Sequence, residues 1–447
     1  MAGRFVYFLV MESPEAINSS YNKRQDLLAE RYVRGKILAS DGTILAQTIT
    51  ESDGKEIRDY PFKQVFCHVV GSFDRGRTGV ELSENFNLLK SHTNVVSQAI
   101  TMMEGKKVIA DDIVTTLDVN LQQAAYQALG NRKGAVVAIE PSTGRILAMV
   151  STPSYDPNTV AQNWEYLVND TSGNSTLLNR ATQGLYAPGS TFKLVTALEY
   201  LKENPATYKE YSYTCKGSAM FGDRRISCFN NHVHGNIDLK ESVAKSCNDS
   251  FAHIGTLLDL KKYRKTAEKL MFNKPLPLEL PYKQSSFSLS NKDSENEIAQ
   301  TAMGQGKTQI SPMHSAMIVS SIANDGKMMK PYVVEGAQST SGHISNRAKE
   351  KVLAEAMTEK EAVLLTSYMT EVVNSGTATA LKNSKYQAAG KTGSAEYNSK
   401  GASHAWFVGF APAKNPEIAI SIIVESSGTG SEYAVPIAKK LFDSYLK

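Results

Sequence analysis

The sequence predicts an α+β protein, and three observations carry the prediction. Two apolar strand pairs, residues 134–139 with 145–150 and residues 405–411 with 418–424, stand far apart in the chain. Between them runs a long stretch of helical pattern and loops, so one sheet has to be assembled from distant segments. Ahead of both, residues 13–110 are polar and mixed, with strand-turn-strand character of their own. A chain of 447 residues exceeds one ordinary core. The expected division is therefore a short apolar segment at 1–12, a first domain at 13–110 and a second at 111–447.

The elements follow in order. Residues 34–38 read as a strand entering the turn Asp41-Gly42, and residues 43–46 as its return, which makes a hairpin. Residues 82–89 read as a short helix, and residues 112–118 as a strand running into a helix at 120–129. Pro141-Ser142-Thr143-Gly144 joins the first apolar pair as a turn. Pro412-Ala413-Lys414-Asn415-Pro416 joins the second, and residues 435–446 have the period of an amphipathic helix. Residues 275–296, with Pro277, Pro281 and several serines, read as an irregular surface insertion.

Composition narrows the function classes. Hydrophobic residues at 41% and charged residues at 21% are globular values, not those of a disordered chain. The net charge of +4 is mild, and the densest basic cluster, Lys261-Lys262-Tyr263-Arg264-Lys265, reads as a solvated helix face. Nucleic acid is not an expected partner. The run Phe5-Val6-Tyr7-Phe8-Leu9-Val10-Met11 is too short to cross a bilayer, which takes roughly 20 residues. It reads either as an ordinary buried element or as the remnant of a membrane anchor.

One local pattern points to chemistry. Ser190-Thr191-Phe192-Lys193 follows Ala187-Pro188-Gly189 and opens an apolar helical run. Pro and Gly stop the preceding chain, and a three-residue spacing puts Ser190 and Lys193 on one helical face. A serine hydroxyl needs a base, which a desolvated lysine supplies. The spacing alone is weak, since Ser20/Lys23, Ser52/Lys55, Ser242/Lys245 and Ser444/Lys447 share it. None of these opens an apolar helix after a Pro-Gly stop. Ser246-Cys247-Asn248 falls between two helix-like stretches, where its serine and amide would project from a turn. Lys391-Thr392-Gly393 precedes Ser394 and reads as a strand, with Gly393 allowing close backbone approach. The order Ser-x-x-Lys, Ser-x-Asn, Lys-Thr-Gly is the signature of penicillin-binding proteins and β-lactamases, with Cys247 where the usual middle motif has Asp.

On these motifs the chain resembles a class B penicillin-binding protein, a monofunctional peptidoglycan D,D-transpeptidase. The resemblance extends over nearly the whole length. Arg34-Gly35-x-Ile37 with Asp41-Gly42-x-x-Leu45-Ala46, Gly79-Val80-Glu81-Leu82, Asn179-Arg180-Ala181 and Gly304-Gln305-Gly306 all fit it. It implies the penicillin-binding transpeptidase fold, an antiparallel sheet flanked by helices with an all-helical lobe, on an elongated N-terminal pedestal. It implies Ser190 as nucleophile, Lys193 as base, Ser246 as proton relay and Asn248 as substrate-amide ligand. Lys391 and Thr392 would hold the substrate carboxylate, beside Gly393, and the backbone N–H groups of Ser190 and Ser394 would form the oxyanion hole. Peptidoglycan stem peptides, β-lactams and a membrane glycosyltransferase are the implied partners. The implied location is outside the bacterial cytoplasmic membrane, on a single N-terminal anchor. A β-lactamase, a β-lactam sensor and a non-catalytic scaffold are the alternatives.

A second constellation overlaps the middle motif at Cys247. Cys215, Cys228, His234 and Cys247 lie within 33 residues, at spacings of 13, 6 and 13. Three thiolates and an imidazole make a closed tetrahedral set suited to structural Zn²⁺. A Cys215–Cys228 disulfide or three buried free thiols are the alternatives, and His232 is a competing ligand. Some members of the resembled family carry zinc beside the middle motif, which the position of Cys247 fits.

Overall fold

The computed structural model describes residues 24–396 and 403–446. The apolar run at 5–11 and the anchor assigned to residues 1–12 lie outside the described residues.

The chain beyond residue 133 is organised on a five-stranded antiparallel sheet. Its order is Ala389–Glu396, Ser403–Ala411, Ile418–Val424, Gly134–Ile139 and Ile146–Thr152. Both expected strand pairs are present, and the distant segments meet where Val136 pairs with Ile422. Every residue of the last three strands is buried, so both faces are covered. That explains why they read as continuous apolar runs rather than alternating ones. Helices Val119–Leu129, Pro312–Ala323 and Val435–Tyr445 pack on this sheet, and all twelve residues of Pro312–Ala323 are buried. A helical lobe of Lys193–Glu203, Leu239–Ala244, Asn248–Leu257, Leu260–Lys269 and Glu295–Ala302 stands beside it.

The leading segment contributes to a six-stranded sheet. Its order is Ile344–Ser345, Val334–Gln338, Asp112–Thr115, Ile37–Leu38, Ile44–Thr50 and Glu56–Asp59. The expected hairpin is there, with Ile37 opposite Ala46. Two strands of this sheet come from residues 334–345, deep in the second half. No local pattern announces that, because strand pairing between distant segments leaves no local trace.

The two N-terminal motifs meet each other. Arg34 donates to Glu81 through Nε at 2.8 Å and through Nη2 at 2.6 Å, and Arg58 Nε donates to the same carboxylate at 2.7 Å. Glu81 is fully buried. A Cβ at Gly35 would sit 1.9 Å from the Asp111 carbonyl oxygen, so only glycine lets the strands approach there.

Two expectations change. The helix expected at 82–89 is a short helix Gly79–Ser83 followed by a separate 3₁₀ turn, Asn87–Leu89. Residues 275–296 are irregular but not a surface insertion, because Leu276, Leu280, Phe287 and Leu289 are buried. Phe287 stacks on Phe192 beside the nucleophile segment, at 6.0 Å between ring centroids. Proline and serine content predicted the irregular backbone correctly; the apolar residues between them decide where it packs.

Candidate active site

Ser190 sits in a 3₁₀ turn, Gly189–Phe192, which continues directly into the helix Lys193–Glu203. The turn is held from both sides. Gly189 has φ +55°, and a Cβ there would lie 2.9 Å from the Ser394 carbonyl oxygen. Its N–H donates to the Gly304 carbonyl at 2.9 Å. Upstream, the buried Trp406 donates from Nε1 to the Ala187 carbonyl at 3.1 Å. The backbone carrying Ser190 is thereby pressed against the strand carrying Ser394, which brings together the two residues expected to supply oxyanion-hole N–H groups.

Lys193 is fully buried at the first turn of its helix. Its Nζ donates to the Ser246 carbonyl at 2.8 Å, to Ser246 Oγ at 3.3 Å and to Asn248 Oδ1 at 2.7 Å. Burial pushes its pKa down to about 8, opposed by the charges of Cys247, Cys228 and Asp249. No hydrogen bond joins Ser190 Oγ to Lys193 among the described residues; the lysine is held by the middle motif instead.

That motif occupies the turn expected for it, between Leu239–Ala244 and Asn248–Leu257. Ser246 has φ +55°, a left-handed conformation that turns successive side chains in different directions. Asn248 Nδ2 donates to the Ser227 carbonyl at 2.8 Å, so the amide is oriented from two sides.

The third motif lies on Ala389–Glu396, where Lys391 is fully buried. Its Nζ donates to Ser246 Oγ at 2.8 Å and to the Thr392 carbonyl at 3.0 Å. Burial and the nearby Lys193 hold its pKa well below the ordinary lysine value. A hydroxyl has two acceptor lone pairs, and Ser246 Oγ uses both, one for each lysine. Gly393 faces the Ser190 turn: a Cβ there would lie 3.1 Å from Thr191 Cγ2 and 3.3 Å from the Pro188 carbonyl. Ser190, Lys193, Ser246, Asn248, Lys391, Thr392, Gly393 and Ser394 thus converge from three segments.

Two contributors were not singled out from sequence. Thr377 shares a hydrogen bond with Thr392 at 2.5 Å between hydroxyl oxygens, and fixes that side chain. Gln305 Nε2 donates to the Ser394 carbonyl at 3.4 Å. Gln305 lies within a segment that the resemblance includes, whereas nothing around Thr377 marks it.

The cysteine set also assembles. One ligand atom from each of Cys215, Cys228, His234 and Cys247 lies within 4.8 Å of all the others. The Sγ atoms of Cys215 and Cys228 are 3.7 Å apart, those of Cys228 and Cys247 are 3.6 Å apart, and His234 Nδ1 is 3.4 Å from Cys215 Sγ. Four ligands about 2.3 Å from a tetrahedral centre stand roughly 3.7 Å from one another, so the donor set fits Zn²⁺. The thiols are free rather than paired in a disulfide. His232 brings its carbonyl to 3.9 Å from Cys215 Sγ and packs its ring edge-on against His234. Asp249, next to the middle motif, brings Oδ2 to 3.5 Å from Cys215 Sγ while its buried Oδ1 has no partner.

Comparison with known proteins places this geometry. Residues 134–443 match the penicillin binding protein transpeptidase domain, and residues 34–113 match the penicillin binding protein A dimerisation domain. The chain is 30% identical to the peptidoglycan D,D-transpeptidase PbpA of Mycolicibacterium smegmatis, over 95% of this chain and 92% of that protein. Among solved structures it is similar to the D,D-transpeptidase domain of a peptidoglycan glycosyltransferase from Eggerthella lenta, at TM-score 0.84 and 32% identity, covering 93% of this chain and 98% of that one. It is also similar to penicillin-binding protein A of M. tuberculosis in a ceftriaxone acyl-enzyme complex, at TM-score 0.86 and 29% identity, covering 95% of this chain and all of that one. With the transpeptidase match spanning well over half its length and the pedestal matched as well, the chain belongs to the penicillin-binding protein family, as a class B member.

Proposed function

We propose that the protein is a peptidoglycan D,D-transpeptidase acting through a Ser190 acyl-enzyme, and that β-lactams acylate the same serine. The observation that carries the residue roles is Ser246 Oγ lying within hydrogen-bond distance of both Lys193 and Lys391. In this reading Ser190 Oγ attacks the penultimate D-alanine carbonyl of a stem peptide and gives its proton to neutral Lys193. The oxyanion settles on the backbone N–H groups of Ser190 and Ser394. Ser246 passes its proton to the departing D-alanine nitrogen and takes the Ser190 proton back from Lys193. The amide C–N bond breaks and an ester to Ser190 remains, with the lysine neutral again. The amine of a second stem peptide then attacks that ester, forms the new amide and returns the proton to Ser190. Asn248 orients the substrate amide, and Lys391 with Thr392 receives the terminal carboxylate.

Residues 13–110, with the strands Asp112–Thr115, Val334–Gln338 and Ile344–Ser345 that complete their sheet, act as a pedestal. The rest of 111–447 acts as the catalytic unit, held outside the membrane by an anchor at the N-terminus and serving a membrane glycosyltransferase. Among the described residues, no helix is long and apolar enough to cross a membrane. Cys215, Cys228, His234 and Cys247 would hold a structural Zn²⁺, whose chemistry there is to pin the turn from which Ser246 and Asn248 project.

Mass spectrometry of the penicillin adduct tests the reading. A stable adduct on the peptide containing Ser190, absent in Ser190→Ala, is expected. An adduct elsewhere overturns the assignment of the nucleophile, and rapid release of hydrolysed penicillin makes the protein a β-lactamase instead.

A further inference from the structure

The helix Val95–Met103, sequence VVSQAITMM, is built inside out. It carries no charge and not one of its residues is buried. Val95 is 78% exposed, Val96 66% and Met103 88%, with Ile100 and Met102 also exposed. The side facing the protein is polar: Gln98 donates to the Ser91 and Thr93 carbonyls and accepts from the Tyr32 hydroxyl. At 100° per residue the apolar positions cover an arc of about 160°, the width of a face made for burial. Among the described residues, seven of the seventeen exposed large apolar side chains fall on this helix, on Leu27 and on Ile109. Leu27 belongs to the helix Arg24–Arg31 and Ile109 to the strand Val108–Ile109, which pairs with Tyr32–Val33 directly after that helix. The apolar side chains are therefore concentrated where the described chain begins, not scattered.

We propose that this face rests in the interfacial layer of a lipid bilayer. Three observations select a bilayer among possible occupants. A nine-residue helix is about 13 Å long, and a face of that length offers far less than the roughly 800 Å² per partner of a stable protein interface. Interfacial helices have no such threshold, because their binding scales with the apolar area inserted. The helix also adjoins the strand Tyr32–Val33, and the apolar run at residues 5–11 lies only twelve residues ahead of Arg24, a reach of at most about 43 Å. Finally, the nearby lysines are already partnered, Lys106 with Glu104 at 3.0 Å and Lys107 with Glu56 at 2.8 Å. Apolar insertion, not charge, is the driving contribution, so the docking needs no anionic headgroup. The inference rests on the reading that the catalytic unit stands at a membrane, and it adds a second contact that sets the pedestal's height and tilt.

The test uses the full chain and phosphatidylcholine vesicles. Ile100→Trp is expected to show a blue-shifted emission on vesicle addition, beyond the signal of Trp164 and Trp406, and quenching by brominated lipid. V96S/I100S/M103S is expected to bind vesicles about tenfold or more weakly, with little effect of salt. Its acylation by fluorescent penicillin is expected to be unchanged, since none of the three side chains is near the catalytic motifs. Both proteins retain residues 5–11, so that segment does not account for the difference. An unshifted emission spectrum of the Ile100→Trp protein, or equal vesicle affinity in the triple variant, overturns the proposal. So does loss of a dimer in the triple variant by analytical ultracentrifugation without any vesicle response, which would assign the face to a second copy. Loss of acylation in the parent protein would sink the catalytic reading while leaving the vesicle result standing.

Discussion

Lys391 Nζ donates to Ser246 Oγ at 2.8 Å, although the two residues lie 145 positions apart. This bond joins the third motif to the second, while Lys193 approaches the same oxygen from the first. Ser246 Oγ is the atom on which all three segments agree. Ser246→Ala is expected to lower the acylation rate by about 10²–10⁴-fold, the usual worth of a positioned proton relay. Stopped-flow acylation with fluorescent penicillin measures it; a loss under about threefold would remove Ser246 from the proton path.

Lys193 carries a pH dependence. Burial lowers its pKa to about 8, and the neutral form is the competent base. Acylation is therefore expected to rise as pH climbs through about 8 and then to level off. A rate profile across neutral and alkaline pH checks this, and a flat profile would contradict the assignment. Lys193→Arg, whose guanidinium stays protonated, is expected to abolish the rise together with the activity.

The cysteine cluster predicts a metal. Chelator-free protein is expected to contain about one equivalent of zinc by elemental analysis, as a closed four-ligand site should. Cys228→Ser is expected to lower that content and to weaken acylation by about 10–100-fold through the turn that carries Ser246 and Asn248. Protein with less than about half an equivalent and intact acylation would show that the cluster acts without metal.

Glu81 is expected to matter for stability rather than catalysis. Burial alone would raise its pKa, but the Arg34 and Arg58 guanidiniums hold it below the usual carboxylate value. A pKa lowered by folding contributes stability that is fully present above the unfolded value, near about 4.3, and is lost as pH falls through the folded one. Glu81→Gln leaves two buried guanidiniums without their carboxylate, which costs about 3–5 kcal/mol. Denaturant titration at neutral pH measures it, and a change under about 1 kcal/mol would mean the cluster relaxes into water.

Gly189→Ala is expected to slow acylation severely. The left-handed φ and the 2.9 Å approach to the Ser394 carbonyl leave no room for a methyl group. Thermal unfolding beside the acylation rate separates a displaced Ser190 turn from a destabilised protein. Unchanged acylation would show that the two backbones need not touch.

Much of the catalytic half was legible because its strands are buried on both faces. Residues 134–139, 146–150, 405–411 and 418–424 are apolar apart from Ser421, and all are strands of one sheet. The motif residues were legible for a different reason: Pro-Gly before Ser190, the helical stretches around Cys247 and the glycine after Thr392 are local features. What escaped was non-local. Thr377 acts through one hydroxyl contact, and no spacing marks it. Gln98 looks like a solvent-facing residue and Ile100 like a core residue, yet the helix faces the other way. Phe287 sits in a serine- and proline-rich stretch whose composition suggests a surface, while aromatic packing against Phe192 draws it inward.

The strand Val334–Gln338 has a consequence for the order in which the emerging chain folds. It pairs with Asp112–Thr115, so the leading sheet stays open until a segment roughly 200 residues later has been made. During that interval the edge of Asp112–Thr115 offers unpaired backbone groups to any neighbouring chain. The pedestal cannot complete its sheet first and wait for the catalytic unit, because two of its six strands, Val334–Gln338 and Ile344–Ser345, come from residues made late in the chain. Folding becomes one late event instead of two successive ones.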